Sequence, residues 1–152
     1  MDLASIERVC EIVVRGSSDA AAFARAQETV MSMGDSVDNI TALQNIFDSS
    51  INSCAILVAA RSLLKLVTDH WNSFTEAQRV DIRNYLLSFL GSKGPQLEEF
   101  AVTGVIQLIC RIVKFGWFDE GEDMRKIVTE VSKFLQVRTQ ESCAHVRARV
   151  RV

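Results

Sequence analysis

From Leu97 to Lys114 apolar side chains recur so densely that a helix built from them has almost no side left for water. Leu97, Phe100, Ala101, Val105, Leu108, Ile109 and Ile112 repeat at spacings of three and four, and Val102, Ile106 and Val113 broaden the stripe. Only a thin polar line remains: Thr103, Gln107, Arg111 and Lys114. Such a helix must be sandwiched between neighbours and show the outside one narrow strip. The stretch before it, from Arg79, places Ile82, Tyr85, Leu86, Phe89 and Leu90 on one apolar helical face. Gly91 is expected to close that helix in a left-handed conformation, Gly94 to loosen the chain, and Pro95 to open the next helix at no cost in hydrogen bonds. Glu98 and Glu99 then fall near the positive helix end. The predicted unit is an antiparallel hairpin of helices.

The same design occurs earlier. After Asn52 or Ser53, Ile56, Leu57, Ala60, Leu63, Leu64 and Val67 form an inner face, and Arg61, Lys65, Thr68 and Asp69 form a thin polar line. Other helices are half wet. Leu3, Ile6, Val9, Cys10 and Val13 share a face ended by Gly16. Phe23, Ala26, Val30 and Met33 follow a cap at Ser18 or Asp19 and stop at Gly34. Ile40, Leu43, Ile46 and Phe47 follow a cap at Asp38. Ser73 and Glu76 have capping-box spacing, with Trp71 or Phe74 as a staple. A later face comprises Met124, Ile127, Val128, Val131, Phe134 and Leu135, entered through the acidic stretch DEGED at 119–123.

Paired units thus open near residues 2, 38, 75 and 122, and periods of about 36, 37 and 47 are those of HEAT-type repeats. The predicted fold is all-α, a right-handed α-solenoid of about three and a half helical hairpins, with the drier helices forming the inner layer. Their polar lines would face a concave groove lined by Arg61, Lys65, Gln107, Arg111 and Lys114. Residues 1–137 read as this repeat domain. Residues 138–152 read as a divergent tail, because VRTQESCAHVRARVRV abandons helical periodicity for alternating valine and arginine, as an altered or truncated end would.

A chain of 152 residues with a formal net charge of −2 has room for one domain and gives no long-range attraction to nucleic acid or an anionic membrane. No apolar run is expected to reach the roughly 20 residues needed to span a bilayer, and the N-terminus lacks a basic signal-peptide start, so a cytosolic or nuclear location is expected. Cys10, Cys54, Cys110 and Cys143 are widely spread, and free, buried thiols are expected.

RVDIRNYLLSFL at 79–90, FAVTGVIQLICRIVKFGWFD at 100–119, AARSLLKLV at 59–67 and FARAQETV at 23–30 resemble the N-terminal region of the importin-β superfamily, in its exportin-seven-like branch. The likeness covers about residues 5 to 137. It implies a superhelical nuclear transport receptor whose first inner helices contact the GTP-bound form of the small GTPase Ran. Cargo would occupy other parts of the groove, outer helices would touch nucleoporin repeats at the nuclear pore, and the protein would move between nucleus and cytoplasm. Carried onto this chain, the Ran contacts fall on Arg61, Lys65, Gln107, Arg111 and Lys114.

Chemistry has little footing. His70 and His145 stand outside any phosphate-loop, Gly-x-Ser-x-Gly or His-Glu-x-x-His context, and His70 suits a helix C-terminus. Cys143 and His145 lack the partners a metal needs, so no metal or cofactor is expected. Trp117 and Phe118 read as packing of an inter-repeat turn on the next helix, and Arg147, Arg149 and Arg151 as a solvated end. Two function classes fit: a protein-binding module of nuclear transport, and a helical scaffold without transport activity. Either leaves the surface around Val128, Val131 and Leu135 to self-associate, since each repeat buries its face only against neighbours.

Overall fold

A computed structural model describes residues 2–132 apart from Glu120 and Glu130. The predicted 137/138 boundary, Cys143, His145 and the tail arginines lie outside the described residues, as do Phe134 and Leu135. The described chain is all-α, with no strand: α1 (Leu3–Arg15), α2 (Ala20–Met33), α3 (Ile40–Ser49), α4 (Ser53–Asp69), α5 (Glu76–Lys93) and α6 (Glu99–Phe115), interleaved with short 3₁₀ turns. Helical residues recur at 127–129 and 131–132. Consecutive helices pack as the pairs α1/α2, α3/α4 and α5/α6, and α4 joins them by packing on α1, α2 and α6.

Local chemistry sets the helix ends. Asp2, Asp19 and Asn52 cap α1, α2 and α4 by accepting hydrogen bonds from first-turn backbone amides. Gly16 ends α1 at φ 90°, the left-handed side that costs glycine least. The capping box of α5 is Thr75 with Gln78, not Ser73 with Glu76, because the 3₁₀ turn Trp71–Ser73 occupies the earlier spacing. Gly91 does not close α5, which continues to Lys93. Among the described residues Gly16 alone has positive φ. Leu97 lies in the turn after Pro95, and α6 begins beyond Glu98. Ser36, rather than Asp38, caps the 3₁₀ turn that leads into α3.

The core is centred on α4, in which every residue from Ser53 to Ala60 is buried. Leu43, Ile46 and Phe47 of α3, Leu86 and Phe89 of α5, and Ala101, Val105, Leu108, Ile109 and Ile112 of α6 close around it. Phe47 meets Tyr85 and Phe89 edge to face, with ring centroids 6.2 and 5.1 Å apart, a favoured aromatic arrangement. Helix α6 with its 3₁₀ extension, Glu99–Phe118, is 20 residues long at mean hydropathy 1.4, so by length and composition it reaches a membrane-spanning helix. Here it buries one face on α4 and α5, as a core helix does.

Three apolar assignments differ from expectation. Ile106 is 46% exposed and Cys110 is also exposed, because the outer strip of α6 is wider than its polar residues alone. Phe118 is 89% exposed, so among the described residues it covers no next helix.

Candidate protein-binding groove

Helices α4 and α6 run together so closely that a Cβ on Gly104 would sit 2.6 Å from Leu57 Cδ1. That approach leaves a depression of about 600 Å³ between their outer strips. Its floor is Leu57, Phe100 and Gly104, and its walls are Arg61, Thr103, Gln107, Glu98 and Glu99. Two of the expected site residues, Arg61 and Gln107, thus meet in one hollow. Ser53 helps place its rim, since its Oγ accepts a hydrogen bond from Glu98 N at 2.9 Å. Glu98 also pairs with Arg15 of α1.

Lys65 does something else. Its Nζ donates to the Gly34 carbonyl and to Asp35 Oδ1, both at 3.1 Å, and lies 3.3 Å from Asp69 Oδ2. The bonds to Asp35 and then Asp69 hold its ammonium charge above the usual lysine range. Lys65 therefore tethers the end of α2 to α4, although its side chain stays half exposed. Arg111 and Lys114 lie further along α6, roughly 6 and 10 Å beyond Gln107 at 1.5 Å per residue. Both are exposed, and the Arg111 guanidinium stands 5.4 Å from the Phe115 ring centroid.

Two arginines, Arg83 buried and Arg79 partly buried, dock the start of the fourth unit on α5. Arg83, 2% exposed, donates from Nη1 to the Asp123 carbonyl at 2.6 Å and from Nε and Nη2 to Asn84 Oδ1. Arg79 donates to Asp119 and to the Trp71 carbonyl while its guanidinium lies 4.2 Å above the Trp71 ring. Neither was anticipated as a core element. The available signal was their i, i+4 spacing beside Ile82 and Leu86, on the inward side of an amphipathic helix. His70 is the C-cap residue of α4, as its sequence context suggested. Among the described residues no group of three His, Cys, Asp or Glu side chains is placed to hold a metal.

Residues 26–92, from α2 through α5, match the family model of the importin-beta N-terminal domain. Over this stretch the chain is similar to the importin-β superfamily. Among curated relatives it is 33% identical over 137 residues to exportin-7-B of Xenopus laevis, covering 88% of this chain and 12% of that protein. It is 35% identical over 144 residues to Ran-binding protein 17 of Mus musculus, covering 93% of this chain and 13% of that protein. Ran-binding protein 16 of Drosophila melanogaster is 28% identical over 139 residues, with 90% and 12% covered. No solved structure matches. The importin-β superfamily is a family of nuclear transport receptors. This chain spans about an eighth of the length of the relatives it matches. The matched importin-beta N-terminal domain supplies the α4 side of the depression, while α6 follows it in sequence.

Proposed function

We propose that the α4–α6 face binds the GTP-bound form of the small GTPase Ran, as the protein-binding N-terminal part of an exportin-like nuclear transport receptor. The observation that carries this reading is the match to the importin-beta N-terminal domain together with similarity to relatives whose very names are Ran-binding. The geometry supports it: polar strips on two adjacent buried helices open on one side and share a hollow at Arg61 and Gln107. Arg111 and Lys114 extend the contact along α6, and Lys65 contributes by fixing where α2 lies against α4. The action is surface complementarity rather than catalysis. Cargo and nucleoporin contacts, and passage between nucleus and cytoplasm through the pore, belong to the same proposal at the level of the longer receptors.

The test is calorimetry with Ran loaded with a GTP analogue or with GDP. Binding confined to the analogue-loaded form is expected, and equal or absent binding in the two states overturns the reading. The rival reading is a helical scaffold that binds no GTPase. It draws on Lys65 and Glu98, which already hold intramolecular ion pairs. Arg61→Ala with Gln107→Ala separates the two, because only a working groove loses affinity. We further propose self-association through Phe118, Val128 and Val131, which are 89%, 57% and 46% exposed. Sedimentation of a Val128→Glu, Val131→Glu variant as a monomer, against a dimer for the parent, is the expected result.

A further inference from the structure

We infer that the outer strip of α6 seats an acidic segment of the partner protein carrying an apolar anchor. The inference deepens the Ran reading of the same face. On the α2 side, a separate shallow hollow lined by Gln27, Glu28, Met31, Ser32 and Asp35 carries carboxylates, of which Asp35 is paired with Lys65. On α4 the signs are mixed, with Arg61 beside Glu98 and Glu99 and with Lys65 paired to Asp35 and Asp69. On α6 the pattern inverts. No acid occurs between Glu99 and Asp119, and the outer strip presents Arg111 and Lys114. Among the described residues no carboxylate lies within ion-pair distance of either cation.

With no acid beside them on the strip, Arg111 and Lys114 attract an acidic partner segment and repel a basic one. Ile106, 46% exposed on the same strip one turn before Cys110 and Arg111, supplies apolar surface for an anchoring side chain. Charges alone at an exposed surface contribute little. An aliphatic contact beside them gives the site the mixed character of an interface core with a polar rim.

A fluorescein-labelled synthetic peptide of glutamates around a central phenylalanine, read by anisotropy on the full chain, tests the site independently of Ran. Wild type is expected to bind it more tightly than a lysine counterpart, with affinity falling as salt rises. Arg111→Glu with Lys114→Glu is expected to weaken it by about tenfold, as reversal of two exposed pairs implies, while Glu28→Lys leaves it unchanged. Absence of binding, or equal binding by the double variant, overturns the inference. If the acidic peptide binds and analogue-loaded Ran does not, the Ran reading fails and the acidic-segment site on α6 stands. With both bound, Arg111→Glu and Lys114→Glu weakening the peptide but not Ran overturns their identification as one site.

Discussion

Gly104→Ala probes the point where α4 and α6 touch, and the structure predicts that its sign depends on Leu57. In the native packing the added Cβ would lie 2.6 Å from Leu57 Cδ1. Carbon atoms rest at about 3.5–4.0 Å, so that methyl group must retreat by about 1 Å. Leu57 is 6% exposed and close-packed, and overpacking of such a site costs about 1–3 kcal/mol. Against this, alanine in place of a helix-interior glycine stabilises by about 1 kcal/mol. The single substitution should therefore destabilise by about 1 kcal/mol. In a Leu57→Ala background, itself costing about 2–5 kcal/mol, the obstructing methyl is gone. There Gly104→Ala should stabilise by about 1 kcal/mol from helix propensity, with cavity filling added. Urea denaturation of the four proteins gives the coupling directly, about 2 kcal/mol. The same sign in both backgrounds would refute the close approach on which the depression depends.

Arg83→Met keeps the length of the side chain but leaves the Asp123 and Met124 carbonyls without their donor, which should cost about 2–3 kcal/mol in chemical denaturation. Hydrogen exchange should accelerate over residues 121–129, and unchanged protection there contradicts the docking role. In the native protein a maleimide should label exposed Cys110 rapidly but leave Cys10, whose thiol burial pushes up to about 12, and buried Cys54 unmodified until unfolding. Peptide mapping by mass spectrometry checks each site. Tyr85 is the single tyrosine, so its ionisation can be followed by ultraviolet absorbance. Burial, and then its 2.6 Å hydrogen bond to Asp48, raise its pKa, so it contributes stability in full below about pH 10 and loses it as pH climbs further. Tyr85→Phe should flatten that alkaline fall, and an ordinary tyrosine titration in the native state would count against it.

Much of the architecture was legible because helix periodicity is a local property. The inner faces of α4 and α6 and their polar lines follow from spacing alone, and Gly16, Gly34, Asp19 and Asn52 act where a cap or stop of their kind acts. The misreadings also have local causes. Gly91 could end a helix, yet the packing of Leu90 and Lys93 carries α5 on, with Lys93 Nζ donating to the Phe47 and Asp48 carbonyls at the end of α3. Thr75 and Ser73 both offer capping spacings, and the turn at Trp71–Ser73 decides between them.

What residue order alone determined was the set of helices, their wet and dry sides and the kinship of the chain, since each is written in spacing or in short stretches. What only the folded arrangement decided was how side chains far apart in sequence divide their work. Lys65 and Arg61 stand one turn apart on the same strip, but Lys65 is drawn to the carbonyl of Gly34 and the carboxylate of Asp35, and Arg61 shares a hollow with Gln107. Arg83 disappears into the core because two backbone carbonyls some forty residues away need its donors. Hydrogen bonding and ion pairing depend on ångström distances between elements, and no periodicity along the chain encodes those distances.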